Sequence, residues 1–335
     1  MLGKKLAIDI GTATLRIQVK GEQPLPAEPS LVAVEEGTGR VIAAGAGGAA
    51  AASDGRSGIA VVAPVHDGAL GDLAAFEALL QHAVTRGVGR QRIFKPDVMM
   101  AVMTAMSGHD RRALMEMAVR VGARTTYLID APLAAASGAG LPITTAHGHL
   151  VIDAGAGKTD VAVVSVESLI VGRCVRRGGH HLDAAIARHL ATVHGLSVDA
   201  ATAEDVKLEI GAAVALPEER RLLVNGVDTA SGEPGEARVS STEISEVVRA
   251  ELQDLGHALR EVLAETPPAL LDDIRHDGAL LTGGAARLRG LDRWVSGVIG
   301  APARVAGEPD GCVVRGVATA LDNLDVMRRN FLYIR

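Results

Sequence analysis

Two short stretches carry the residue types that phosphate and divalent-cation chemistry needs, at matching spacing. Asp9 lies two residues before Gly11-Thr12-Ala13, and Asp153 lies two residues before Gly155-Ala156-Gly157. A turn of glycine and other small residues lets the backbone approach an anion closely and offer it several N–H donors. A carboxylate just upstream stands where a hydrated Mg²⁺ bridges phosphate oxygens. One such turn is more often an ordinary tight turn, but two that match, each entered from an apolar strand, point to a phosphate cradle with two walls. A third turn, Gly283-Gly284-Ala285, follows Ala279-Leu280-Leu281. It either holds part of a nucleotide or packs a helix on a strand. None of the three fits GxxxxGK[ST], and no GxGxxG opens a βαβ unit, so the P-loop and dinucleotide-binding readings lack their signatures.

Strands must aim these turns. Residues 6–21 read as a β-hairpin: Leu6-Ala7-Ile8 leads into Asp9 and the turn, and Ile17 and Val19 then alternate with Arg16, Gln18 and Lys20. Residues 150–164 repeat that order through Asp153, the second turn, Lys158 and Thr159. Two such copies at the starts of two similar halves predict a duplicated domain whose turns face each other. Around them strands and helices alternate, the order of an α/β protein. The first half reads as a hairpin over 31–44, a turn-rich loop over 45–58, a helix over 70–83, a strand over 98–103, a helix over 110–121, a strand over 127–129 and a helix over 133–138. The second reads as helices over 184–194 and 203–213 and a hairpin over 223–239. One long helix then runs from a Ser240/Glu243 capping box to Pro267-Pro268.

Composition excludes several classes. The 335 residues suffice for about two domains. With 34 basic and 40 acidic side chains the net charge is −6, which argues against a nucleic-acid partner. One Trp, two Tyr and three Phe leave the cores to Ala, Val, Leu, Ile and Met. Cys174 and Cys312 show neither CxxC spacing nor clustered histidines, which fits a reducing cytosol and speaks against zinc or disulfides. No apolar run reaches the ~18 residues of a membrane span. Asp9 also spoils the apolar core that a signal peptide would need after Lys4 and Lys5.

Beyond the turns, longer stretches resemble the MreB family of bacterial actin homologues, within the actin, Hsp70 and sugar-kinase superfamily. The resemblance spans nearly the whole chain. It rests on Asp9-Ile10-Gly11-Thr12-Ala13 with Val19-Lys20-Gly21, on Glu28-Pro29-Ser30-Leu31-Val32-Ala33 and on Asp130-Ala131-Pro132-Leu133-Ala134-Ala135-Ala136. It continues through residues 153–163 and Leu281-Thr282-Gly283-Gly284 with Leu288-Arg289-Gly290-Leu291-Asp292. It implies an actin-like, duplicated RNase H-like α/β fold: domain I over 1–145 with an inserted subdomain at about 30–70, and domain II over 146–335 with one at about 180–250. The C-terminal segment from about 315 to 335 would pack back on domain I, and the two domains would close on ATP and Mg²⁺.

The resemblance also implies residue roles. Asp9, Gly11, Thr12, Ala13 and Thr14 would form the first phosphate site, and Gly155, Ala156, Gly157 and Lys158 the second. Glu204 and Lys207 would contact the adenosine with Gly283, Gly284, Ala285 and Ala286; by spacing alone, Glu204 and Lys207 read as a solvated helix pair. Asp9 and Asp153 would hold Mg²⁺ through water, and Asp153 and Thr159 would be catalytic.

Departures from the family pattern carry consequences. Ala131 stands where the family usually has a Glu that orients the attacking water, a contribution of about 10²–10⁴-fold in rate. ATP binding with slow or absent hydrolysis to ADP and phosphate is therefore expected, unless Asp130 substitutes. Lys158 replaces a small hydroxyl residue and either adds charge near the γ-phosphate or extends into solvent, and Thr14 and Leu15 replace Asn and Thr. Ile93 and Phe94 sit among Arg90, Arg92 and Lys95, a basic, apolar-tipped segment suited to an anionic bilayer, or else Phe94 caps the local core. His180 and His181 lack the spacing of helical zinc ligands and read as a surface or cleft-edge feature.

Together these readings predict a cytoplasmic, ATP-binding protein, peripheral at the inner leaflet, that self-assembles into filaments and organises cell shape or wall synthesis. Its partners would be copies of itself, MreB-like paralogues and cell-wall elongation proteins. The alternative is a non-polymerising, ATP-sensing scaffold. A small-molecule kinase would need a cleft Asp beyond Asp9 and Asp153.

Overall fold

The computed structural model describes residues 3–53, 57–89, 94–104, 106–324 and 332–334. The opening hairpin pairs β1 (Lys5–Ile10) with β2 (Thr14–Val19), Asp9 opposite Arg16. β2 alternates between buried Leu15, Ile17 and Val19 and partly exposed neighbours, as a strand with one covered face must. β3 (Glu28–Pro29) extends that sheet, while β4 (Val32–Glu35) and β5 (Val41–Ala44) form the second expected hairpin. The stretch expected as a turn-rich loop contains a helix, α1 (Ala46–Ser53), followed by β6 (Ile59–Val62), which pairs with β4. Alanine is the strongest helix former. Gly48 lies against the Leu31 carbonyl, so it serves close packing on the sheet rather than a turn.

After β7 (Val65–His66) and β8 (Ala69–Leu70) comes α2 (Leu73–Val88), whose first turn is capped by Asp72 accepting from the Ala75 N–H at 2.9 Å. β9 (Asp97–Val102), α3 (Gly108–Arg120), β10 (Thr125–Asp130) and α4 (Ala131–Gly138) complete the first half. Pro132 in the first turn of α4 has the φ that the turn needs.

The second half opens with β11 (His149–Ala154) and β12 (Thr159–Ser165), Asp153 opposite Asp160, and continues with β13 (Ser168–Val175). α5 (Gly179–Val193) starts earlier than the sequence suggests. Its Gly179 and His180 N–H groups donate to the Gly155 and Ala156 carbonyls at 3.0 and 2.8 Å, a tertiary anchor invisible to local patterning. β14 (Leu196–Ser197), α6 (Ala200–Ile210), β15 (Arg221–Asp228) and β16 (Pro234–Ser240) follow. The single long helix expected from Ser240 is two: α7 (Ser241–Glu251), with the capping box in place, and α8 (Gln253–Glu265). They meet at Leu252, where ψ of −3° departs from helical geometry; α7 packs on α5, and α8 packs on β12 and β13. α9 (Pro268–Asp277), β17 (Ala279–Thr282), α10 (Leu291–Ile299), β18 (Ala303–Val305), α11 (Cys312–Asp322) and β19 (Leu332–Ile334) end the described chain. A 3-10 turn, Gly284–Arg287, lies between β17 and α10, so the third glycine turn stands between a strand and a helix.

The two large sheets share one plan. One runs β3-β2-β1-β9-β10, with β19 added at its edge, and the other runs β13-β12-β11-β17-β18. In both, the hairpin is antiparallel and the last two strands run parallel to its first strand. The duplication expected from two short motifs therefore extends through five strands on each side. α4 and α11, each following the last of those strands, pack against one another and bring the halves together. They cross at glycines. A Cβ on Gly138 would stand 1.9 Å from the Cys312 carbonyl oxygen, and one on Gly316 would stand 1.7 Å from that of Ala134.

Candidate functional site

The two hairpin turns are superposable in chemistry as well as order. The Gly11 N–H donates to the Thr14 carbonyl at 3.0 Å, and the Gly155 N–H donates to the Lys158 carbonyl at 2.8 Å. In the second turn the Gly155 and Ala156 carbonyls are tied to the start of α5. A trans peptide points its N–H opposite to its carbonyl, so the Ala156 and Gly157 amides face away from α5. Gly178, beside this turn, has no room for a side chain, since a Cβ would stand 2.5 Å from the Gly155 carbonyl oxygen. The turns also meet each other: a Cβ on Gly157 would stand 2.5 Å from the Thr12 hydroxyl.

Between them lies a cavity of about 660 Å³, within the usual range of ligand pockets. Asp9, Gly11, Thr12, Ala13 and Thr14 line one wall, and Asp153, Gly155, Ala156, Gly157 and Lys158 the other. Glu204, Lys207, Gly283, Gly284, Ala285 and Ala131 reach the same space. Two expected site residues do not line it. Thr159 lies within β12, its hydroxyl donating to the Arg177 carbonyl at 2.9 Å, and Ala286 sits on the inner side of the 3-10 turn in the hydrophobic core.

Electrostatics at the cavity floor are unbalanced. Loss of solvent and then the charge of Asp153 push the Asp9 carboxyl up to about 6, with Arg16 and Lys158 opposing. Burial likewise raises Asp153, whose carboxylate accepts from the Thr282 hydroxyl at 2.9 Å. Two carboxyls that resist ionising together form a site a divalent cation would relieve.

Lys158 lines the cavity instead of extending into solvent. It is ion-paired with the fully buried Asp160, and its stem packs beside Gly68. Burial works against its charge, but Asp160 and Asp153 outweigh that and hold its pKa above the ordinary lysine value. Asp160 in turn accepts from the Thr104 N–H at 3.2 Å. Lys207 is fixed similarly, 2.7 Å from the buried Asp183 and 3.8 Å from Glu204, so the expected helix pair is part of a three-residue cluster. Asp130 is bound to Arg111, and its neighbour Ala131, with no polar side chain, lines the cavity.

Sequence reading missed Asp160, Gly178 and the Arg16–Asp310–Arg287 bridge at 3.9 and 2.8 Å. The register carried a signal for the first: Asp160 occupies in the second hairpin the place of Arg16 in the first. His180 lines the cavity, and His181 Nδ1 accepts from the Gly178 N–H at 3.2 Å, so this pair buttresses the cleft edge. Phe94 is 51% exposed and caps no core, while Ile93 lies outside the described residues.

Two like sheets, joined through α4 and α11 and closing glycine turns over a shared cavity, define an actin-like protein. The solved structure of MreB5 of Spiroplasma citri bound to ADP is similar to it at a TM-score of 0.90 and 30% identity, covering 98% of this chain and 99% of that one. The chain in the MamK double helical filament shares the fold at a TM-score of 0.78 and 19% identity, covering 95% and 98%. The chain belongs to the MreB/Mbl family, whose model matches residues 3–329. It is 38% identical to the cell shape-determining protein MreB of Escherichia coli (strain K12) over 97% of this chain and 95% of that one. It is 31% identical to the cell shape-determining protein Mbl of Bacillus subtilis (strain 168), over 99% and 100%. Among the described residues no helix is long and apolar enough to cross a membrane.

Proposed function

We propose that this chain is an ATP-binding, actin-like cytoskeletal protein that assembles into membrane-associated filaments and organises cell shape or wall synthesis. The observation that carries this is the pair of facing glycine turns over two mutually repelling carboxyls, Asp9 and Asp153. Support comes from MreB5 of Spiroplasma citri, solved with ADP and with AMPPNP. In this reading the amides of both turns hold the phosphates, Asp9 and Asp153 hold Mg²⁺ through water, and Glu204, Lys207 and the 283–285 turn hold the adenosine. Bound Mg²⁺ would neutralise phosphate charge that two carboxylates alone would repel. Copies of this chain are the principal partners, with MreB-like paralogues and cell-wall elongation proteins joining them.

Equilibrium binding of AMPPNP with and without Mg²⁺ tests the nucleotide part. The intact chain is expected to bind in a Mg²⁺-dependent way. Asp153→Asn is expected to lose about tenfold in affinity with Mg²⁺, about 1.4 kcal/mol. Binding indifferent to both Mg²⁺ and this substitution would contradict the assignment.

Hydrolysis is slow or absent in this reading, because Ala131 offers no oxygen to the attacking water and Arg111 engages the neighbouring Asp130. The same two residues, with the Lys158–Asp160 pair, favour the second reading, an ATP-sensing scaffold that does not polymerise. At the membrane, exposed Phe94 beside Lys95 supplies an apolar tip with a basic flank. Flotation with vesicles containing anionic lipid is expected to fall several-fold in Phe94→Ser, whereas unchanged flotation would remove this contact from the proposal.

A further inference from the structure

The C-terminal end of α5 and the first turn of α7 bring together a ligand set that no stretch of sequence announces. His194 caps α5, His189 lies just over one turn earlier on it, and Glu243 is the third residue of α7. Both imidazole Nε2 atoms converge on one carboxylate oxygen, Glu243 Oε2, at 3.5 Å from His189 and 3.1 Å from His194. The three donor atoms lie within 4.8 Å of one another. Metal–ligand bonds of about 2.0–2.2 Å in a tetrahedron put donor atoms about 3.3–3.6 Å apart, within a few tenths of an ångström of both separations. The rings are tilted by 68° with centroids 5.9 Å apart, so they approach the oxygen from different directions instead of stacking.

Glu243 is held for such a task. Its other oxygen accepts the Ser240 N–H in the capping box, which fixes the carboxylate plane and leaves Oε2 for the histidines. Outer hydrogen bonds of this kind orient metal ligands generally. The three side chains are only 19%, 21% and 25% exposed, so the set is partly desolvated without being sealed from solvent.

We propose that His189, His194 and Glu243 form a binding site for a borderline transition-metal dication of the Zn²⁺ class, two imidazole nitrogens and one carboxylate oxygen, with a fourth position open to water. Imidazole with carboxylate suits Zn²⁺ and Co²⁺ better than Mg²⁺, which takes oxygen ligands in octahedra. The site is separate from the nucleotide cavity and does not depend on the function proposed above. Occupied, it would clamp the C-terminal end of α5 to the first turn of α7, adding to their apolar packing, the histidine–carboxylate hydrogen bonds and the Arg188–Glu251 ion pair at 3.8 Å further along the two helices.

The test is a Zn²⁺ titration of the purified full-length chain against a chromogenic chelator, with Mg²⁺ in excess to occupy oxygen-only sites. One tight equivalent is expected. His189→Asn and His194→Asn are each expected to weaken it at least about tenfold. His147→Asn, which alters a different histidine held by Asp273 and Asp277 at 3.1 and 2.7 Å, is expected to leave it unchanged. Zn²⁺ should raise the melting temperature of the unaltered chain but not of the double variant. X-ray absorption of the unaltered zinc-loaded chain keeps the test independent of variant folding, and should report two imidazole nitrogens among the ligands. No tight equivalent, titration of both variants like the unaltered chain, or a zinc shell without paired imidazoles would each overturn the proposal.

Discussion

Ala131→Glu is expected to raise phosphate release from ATP by about 10²-fold or more, the contribution a positioned water-orienting carboxylate makes. The position is prepared for it. Ala131 follows β10 as the first residue of α4, lines the cavity, and faces a space large enough for a longer side chain. Asp130 would not obscure the result, because its ion pair with Arg111 keeps it occupied. Single-turnover phosphate release, compared with Ala131→Gln and the unaltered chain, reads the effect. Equal rates in all three would show that the missing carboxylate is not what limits turnover. Fast release by the unaltered chain would overturn the reading of Ala131 altogether.

The second large effect lies away from the cavity. Gly316→Leu is expected to destabilise the chain by at least about 3 kcal/mol, because overfilling a packed contact costs 1–3 kcal/mol even where neighbours can shift. Here the obstacle is backbone: the first atom of any side chain meets the Ala134 carbonyl at 1.7 Å. Gly138 faces the reciprocal collision with Cys312. In a chain of this size such a loss lowers the melting temperature by at least about 4 °C. Because α4 and α11 join the halves, nucleotide affinity should fall with it. Melting with and without AMPPNP measures both. A Gly316→Leu chain that melts and binds like the original would show that the two helices do not meet as closely as described.

Much of this architecture was legible because local rules and the global fold agree. Alternation in β2, apolar strands ending at Asp9 and Asp153, and the Ser240/Glu243 box each point to the element that forms. Where tertiary contacts decide, local reading fell short. Residues 46–53 look like a loop because alanine and glycine carry no apolar stripe, yet they fold as α1. α5 begins at Gly179 because turn carbonyls on another element accept its first amides. The helix break at Leu252 follows from packing on different partners, not from a Pro or Gly at the break. Asp160 was hidden because an Asp in a strand reads as exposed until Lys158 is seen to neutralise it. His189 and His194 lie 54 and 49 residues from Glu243, a separation that no spacing rule bridges.

An ATP-binding filament protein of the kind proposed above would have its assembly governed by nucleotide in the cavity. If the two halves close on nucleotide and the closed shape favours subunit contacts, only a nucleotide with different affinity for the open and closed shapes can drive assembly. High-speed sedimentation of the purified protein with Mg-ATP, with Mg-ADP and without nucleotide, with the pellets viewed in negative stain, tests this most directly. Filaments that pellet with Mg-ATP and diminish with Mg-ADP or without nucleotide are the predicted result. Protein that stays in the supernatant under all three conditions while binding ATP would contradict the filament account and leave the ATP-sensing scaffold in its place.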